Sequence, residues 1–239
     1  LLRFNNFPES PRWLMSQGSY DEAEKLVKQL EVRGTYTTKN NSSESKRVTT
    51  SLARGLFVGV VAAVVTTLAQ FTFTSWVPTL LVKRGIDVAH SFMFSTVMMV
   101  GAPVGAFFGA MLVDWVGRKK TIVVGFMLTA LLGVTFAYQT TSFMVMLVGF
   151  LLTLCMYAMN ASILSVYVPE LFQTKFRFRG EGYSAGAGKL AAVLMPSFVV
   201  WTLTNFGPTY VFFGIAVVTV LGAVVVGLFG PETKQRPVE

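Results

Sequence analysis

Apolar residues fall along this chain in six long blocks, and the stretches between them are short and polar. The blocks run approximately from Gly55 to Val82, Ser91 to Val113, Thr121 to Tyr138, Ser142 to Val166, Gly182 to Thr204 and Thr209 to Phe229. Crossing the hydrocarbon core of a bilayer takes about 20 mainly apolar residues in a helix, and every block falls within the usual latitude of that length. Lys189, about two turns into the fifth block, is the one Asp, Glu, Lys or Arg inside them. Barrel strands alternate in polarity and are far shorter, whereas these blocks are continuously apolar, so the pattern predicts helices. The expected fold class is all-α integral membrane, a six-transmembrane-helix bundle.

Ahead of the first block lies a segment of different character. Ser19 and Glu22 form a capping box, and Ala23, Leu26, Val27 and Leu30 follow at helical spacing, which predicts a short amphipathic helix lying at the membrane or against the bundle. A polar stretch, GTYTTKNNSSESKR, reads as a flexible linker. The expected organisation is a cytoplasmic segment over 1–54, the bundle over 55–230 and a tail over 231–239. The chain opens LLRFNNFPES, without an initiator Met or a cleavable apolar leader, which predicts that it begins inside a longer protein.

Composition agrees with the blocks: 53% of the 239 residues are hydrophobic, 13% are charged and 21 are Phe, with a mean hydropathy of +0.57, far from a soluble domain. The net charge of +8 would suggest an anionic partner if the bases shared one soluble face. They do not. Nine precede the first block, three lie at Arg118, Lys119 and Lys120, three at Lys175, Arg177 and Arg179, and two in the tail, while the alternate connections hold only Lys83 and Arg84. The positive-inside rule then puts both termini and the charged loops on the cytoplasmic side of the cytoplasmic membrane, with no nucleic acid as partner. On that side the Asn40 and Asn41 glycosylation sequons are idle. The single Cys155 sits in an apolar block and suits packing.

GEGYSAGAGKL, from Gly180, resembles three soluble-enzyme motifs and satisfies none. The spacing of Gly180, Gly182 and Ala185 matches a dinucleotide-binding turn, but no strand precedes it and no acid follows at the ribose distance. A phosphate loop ending at Gly188 and Lys189 would need Gly where Tyr183 stands and a hydroxyl where Leu190 stands. Ser184 in a nucleophile elbow needs a His, and the one His of the chain, His90, is predicted on the opposite side of the membrane. Small residues at four-residue spacing account for the segment instead, because they let helix backbones approach. Gly180, Ser184, Gly188 and Ala192 make one stripe, Gly182 and Gly186 another, and Gly101, Gly105 and Gly109 a third in the second block. No cofactor or metal set is visible, and the chain is not read as an enzyme.

The charged turns carry a family resemblance. DWVGRKK, with Asp114, Gly117 and Arg118 as its fixed points, resembles the cytoplasmic loop signature of the major facilitator superfamily. PESPRWL from Pro8, PELFQTKFR from Pro169 and PET from Pro231 resemble the motifs of its sugar-porter and metabolite:proton symporter branches. All four stand in family order along the whole chain. The resemblance implies the C-terminal half of a twelve-helix transporter, with the six blocks as helices seven to twelve and an N-terminal six-helix half as partner. Departures are Ala110 for the usual Gly four before Asp114, Trp115 for a base and Gln173 for a Pro. The first block also lacks the Q-Q-x-x-G-x-N pattern of hexose porters, and its WVPTLL from Trp76 is more like branches carrying organic acids, aromatic acids or nicotinate-like compounds.

Two sets of site residues follow. Asp114, Gly117, Arg118 and Lys119, with a second cluster of Glu170, Arg177, Arg179 and Lys189, are expected to latch one of two rocking states on the cytoplasmic side, or merely to set topology and cap helices. Thr67, Gln70 and Thr74 share a face of the first block, and Tyr157 and Asn160 lie on a matching stripe of the fourth. A buried unpaired amide is costly, so Gln70 and Asn160 face either a cavity or a neighbouring helix. The resemblance supports substrate contact, with Trp76 as a cavity wall or an interfacial anchor. No Asp, Glu or His lies in the blocks, so a coupling proton needs a carboxylate in the N-terminal half. The expected function is transport of a small organic acid by alternating access, coupled to protons; a sugar porter and a non-transporting scaffold half are the competing readings.

Overall fold

The computed structural model describes residues 18–33, 52–172 and 176–233. The PESPRWL motif, the polar linker with Asn40 and Asn41, Gln173 to Lys175 and the tail after Thr233 lie outside the described residues. The chain divides into two compact units, Leu1–Val48 and Thr49–Glu239. In the first, helix α1 spans Tyr20–Arg33, beginning directly after Ser19 as the capping box requires. Lys28 and Glu24 pair across one turn at 2.8 Å.

The second unit is all-helical. Helices α2 (Leu52–Lys83), α3 (Val88–Met99), α4 (Gly101–Val116), α5 (Arg118–Tyr138), α6 (Ser142–Ser162), a single wide turn at Ile163–Tyr167, α7 (Val168–Glu170), α8 (Arg177–Asn205) and α9 (Pro208–Phe229) follow in order. Six stretches among the described residues are long and apolar enough to cross a membrane, with α3 joined to α4 and α6 to α7. This is the expected six-span bundle, yet its helices outrun the apolar blocks. Asp114, Arg118, Glu170, Arg177 and Arg179 all sit on terminal helical turns, because a helix continues until a breaker stops it, whatever the polarity.

The breakers are identifiable. Gly117 adopts φ +109° between α4 and α5, a conformation that costs a residue bearing a Cβ. Pro103 has no N–H to give the preceding turn, and the span breaks just before it, between Met99 and Gly101. Pro169 must keep clear of the carbonyl four residues back; ahead of it the helix widens, and Val168 N–H bonds to Ile163 O, five residues back. Such π turns often mark functional sites.

Packing pairs α4 with α6, α5 with α9 and α2 with α8. Glycine sets the first contact: a Cβ on Gly105 would lie 2.1 Å from Leu154 O, and one on Gly109 2.4 Å from Ala158 O. Gly101 would similarly meet Phe150 O at 2.6 Å. With no hydrophobic drive between helices in lipid, such backbone approach supplies dispersion contact instead. Gly180, Ser184, Gly188 and Ala192 of α8 are all buried; Ser184 and Gly188 make the seam with Gly59, Ala63 and Thr67 of α2, while Gly180 meets the Phe172 ring. Gly182 and Gly186 do not pack: a Cβ on either would meet nothing within 4 Å, since they lie about a third of a turn or more away from that seam.

Two apolar clusters fill the interior. One gathers Phe73, Phe136 and Phe212, whose ring centroids stand 4.9 to 6.4 Å apart. The other centres on Ile122, Phe126, Met159, Tyr167 and Val226. Between them a cavity of about 10 Å³ is lined by Thr66, Thr129 and Thr219 with Ala69, Phe126, Met156 and Met159.

Candidate functional site

The charged connections collect at one end of the bundle. Arg118, first residue of α5, reaches Asp114 at 3.1 Å and binds Glu170 through Nη2 at 3.0 Å and Nε at 3.1 Å. Its side chain is only 14% exposed, so this forked, charge-assisted contact is shielded from water and stronger than a surface pair. The segment after α9 closes the cluster. Glu232 Oε1 accepts from the Arg118 backbone N–H at 2.9 Å, placing a carboxylate at the positive N-terminus of α5. Thr233 Oγ1 donates to Glu170 Oε2, and Tyr167 OH donates to Pro231 O at 3.1 Å. Four helix ends are thus tied by three carboxylates around Arg118.

This arrangement differs from the expected pair of clusters. Glu170 belongs with Asp114 and Arg118, not with the bases of α8. Lys119, Arg179 and Lys189 make no ion pair among the described residues, and the Arg177 Nε is buried without a hydrogen-bond partner among them. Lys189 is displaced furthest: α8 starts at Arg177 rather than Gly182, so Lys189 lies about 18 Å into the helix, remote from the charged end. Gly117 keeps its place, with Glu232 Oε2 3.1 Å from where its Cβ would stand. Glu232, Thr233 and Tyr167 were not among the expected gating residues. The PET motif is the sequence signal for Glu232 and Thr233, though not for Tyr167, and nothing local pairs it with a turn more than 100 residues earlier.

Arg84 organises the opposite end. Its guanidinium donates to Ala137 O at 2.7 Å and Phe136 O at 3.2 Å, capping the last carbonyls of α5, and lies 5.2 and 5.8 Å from the Phe212 and Phe136 ring centroids. Burial lowers its pKa from the ordinary value. Nearby Asp87 caps α3 and its carboxyl pKa is lowered by bonds to His90. Charged connections therefore alternate between the two ends, as six antiparallel passes require.

Midway between the ends, Asn160 Nδ2 donates to Gln70 Oε1 at 2.6 Å. Both residues are half-buried, with Tyr157 on the same stripe of α6 and Phe71 exposed beside Gln70. Thr74 Oγ1 turns back to Gln70 O at 2.8 Å. Thr67 faces α8, its hydroxyl 2.9 Å from where a Gly188 Cβ would be, and Trp76 packs half-buried against the Phe73 cluster. Of the expected set, the side chains of Gln70 and Asn160 are brought together directly; Thr74 bonds only to the Gln70 backbone carbonyl, and Thr67, Trp76 and Tyr157 make no hydrogen bond to the pair among the described residues. The second amide nitrogen, Gln70 Nε2, and the Asn160 carbonyl oxygen have no partner among the described residues.

Comparison with known proteins agrees with this architecture. The family model for sugar (and other) transporters matches residues 3–239. The putative metabolite transport protein YdjK of Escherichia coli is 31% identical over 253 residues, covering 100% of this chain and 55% of that protein. The niacin transporter NiaP of Acinetobacter baylyi is 27% identical, covering 97% of this chain and 55% of its own length. In fold, a double-tryptophan mutant of XylE superposes with a TM-score of 0.65 at 21% identity, over 96% of this chain and 53% of that one. The chain belongs to the sugar (and other) transporter family, and its bundle is the C-terminal half of the major facilitator fold. It spans about half the length of the curated relatives it matches. Those relatives are transport proteins, not enzymes.

Proposed function

We propose that the whole protein is a secondary transporter of a small organic acid or similar metabolite, working by alternating access around the face that carries Gln70 and Asn160. The supporting observation is that amide pair: two polar side chains from α2 and α6, half-exposed midway along otherwise apolar helices, bonded to each other and each keeping hydrogen-bonding capacity unused. Transporter sites lie near the bilayer midplane between two halves. An N-terminal six-helix half would cover the open face, including Gly182 and Gly186, and supply a proton-coupling carboxylate, since charged groups in the described spans sit at helix ends apart from Lys189. The distribution of bases supports cytoplasmic termini, which makes the Arg118 cluster a cytoplasmic gate. Similarity to a niacin transporter favours an acid over a sugar; the match to the sugar (and other) transporter family keeps the sugar porter as the second reading.

Uptake by the full-length protein in proteoliposomes tests this. Gln70→Ala and Asn160→Ala should each raise the KM for the transported compound about 10-fold, in line with losing one or two polar contacts. Unchanged KM in both variants would remove the pair from the site.

A further inference from the structure

Among the bases that the gating cluster does not absorb, Lys189 stands farthest from it along its helix. It stands on α8, 12 residues after Arg177 and 16 before Asn205, or about 18 and 24 Å from the two ends at the helical rise. It is exposed, and no carboxylate among the described residues pairs with it. An unpaired cation at such depth is costly in hydrocarbon and by default marks a functional site.

Its direction follows from the helix. Of the buried stripe of Gly180, Ser184, Gly188 and Ala192, Ser184 meets Gly59 of α2 and Gly188 meets Ala63 and Thr67, so the stripe's middle faces α2. Phe198, on one flank of that stripe, lies 3.7 Å from where a Gly214 Cβ would be, so α9 lies on that flank. Lys189 is on the other flank, at helical spacing with Gly182, Gly186 and Val193, all exposed. Bulky Tyr183, Leu190, Leu194 and Trp201 occupy the remaining face, which suits lipid; the small-residue flank with the amine does not.

The level follows from the seam. Gly188 abuts Thr67 and Ala63 of α2, so the backbone at Lys189 lies about one turn, or 5 Å along α2, from Gln70. An ammonium offers three donors and no acceptor. Gln70 adds amide donors and Asn160 a carbonyl oxygen.

We propose that Lys189 is the positive pole of the substrate site, and that its ammonium binds the carboxylate of an anionic substrate whose other polar groups meet the Gln70–Asn160 pair. This rests on the organic-acid reading above and gives Lys189 a role in binding rather than in the gate. The partner is defined by chemistry: a small monocarboxylate carrying a further hydrogen-bonding group. A carboxylate elsewhere in the whole protein is the competing counter-ion.

The test is ligand-dependent thermal stabilisation of the detergent-purified full-length protein, using matched acids and amides (nicotinate and nicotinamide, benzoate and benzamide) with xylose and arabinose alongside. At least one acid should stabilise wild type at a concentration at least 10-fold below that needed for its amide. Lys189→Gln should raise the half-effect concentration of the acid by 10-fold or more and leave that of the amide within 2-fold, while Lys189→Arg keeps the preference. An unchanged acid-to-amide ratio in Lys189→Gln overturns the carboxylate role and leaves the organic-acid reading standing. If Lys189→Gln fails to fold while Lys189→Arg folds but has lost the preference for acids, the lysine is a structural counter-ion and the proposal falls. Stabilisation by sugars alone, or by nothing in the set, overturns the organic-acid reading together with this one.

Discussion

Asn160 and Gln70, 90 positions apart in the chain, bond directly through their side-chain amides at 2.6 Å. Each would be an unpaired amide in an apolar span without the other, so the pair is at once a structural tie between α2 and α6 and a pre-formed polar surface. If both groups act as one unit, the double variant Gln70→Ala/Asn160→Ala should lose less than the sum of the single losses. A coupling of about 1 kcal/mol is expected from a cycle of KM or ligand-binding values. Simple additivity would mean that the two amides act separately.

The Arg118–Glu170 contact makes the charged end a single cooperative cluster. Glu170→Gln leaves Arg118, 14% exposed, with only Asp114 and the Glu232 carboxylate nearby, and should cost about 1–3 kcal/mol of stability. It should also loosen the segment after α9, because Thr233 loses a charged acceptor. Cysteine labelling at position 231, faster in Glu170→Gln than in the parent, would report the loosening. Equal labelling rates would show that Glu232 and the Tyr167–Pro231 bond hold the segment without Glu170.

The small-residue stripes separate by what stands opposite them. Gly109→Ala drives a methyl toward Ala158 O, 2.4 Å from the ideal Cβ position, and backbone cannot yield as a flexible side chain does. A loss of about 1–3 kcal/mol, read as a lower Tm, is expected. Gly186→Ala meets open space and relieves the entropy that glycine loses in a helix, so the described bundle should be unchanged or stabilised by up to about 1 kcal/mol. A Gly186→Leu variant that folds normally but transports poorly would place that flank against the other half of the transporter.

Arg84 ties α2 to the end of α5 and stacks on two rings of the Phe73 cluster. Arg84→Met keeps some of the apolar contact but strips the carbonyls of their donor, and should lower stability by about 2 kcal/mol. Arg84→Lys should recover only part of this, because an ammonium does not reproduce the planar fork. Thermal unfolding of the three proteins decides the order.

Thr66 Oγ1 is buried beside the small cavity without a hydrogen-bond partner among the described residues. At about 10 Å³ the space is at the lower limit for a water molecule. Thr66→Val, of the same shape, removes the orphaned hydroxyl and should be neutral or stabilising by about 1 kcal/mol. A clear loss of Tm would place an ordered water there, bridging Thr66 to Thr129 or Thr219.

The membrane class, the number of passes and the family were legible in the sequence, since each is written in properties that add up locally. Continuous apolarity marks a span, and a turn motif is contiguous. The α4–α6 glycine seam was also legible, because one helix presents it. Which of two stripes on α8 packs was not: Gly180 and Gly182 differ by two residues and point to different sides of a helix, and only the position of α2 chooses between them. The same holds for charge. Seven of the eight expected gating residues stand near helix ends in the sequence, but Arg118 meets Glu170 and the Glu232 carboxylate because three connections converge at one end of the bundle. The apolar block that starts at Gly182 puts Lys189 about two turns from its start; the helix starts at Arg177 and carries the residue toward mid-depth. The sequence thus determined which segments enter the membrane, by summed transfer energy along contiguous residues. Which side chains meet there was decided by helix crossings between segments tens of residues apart, and no local sum contains that information.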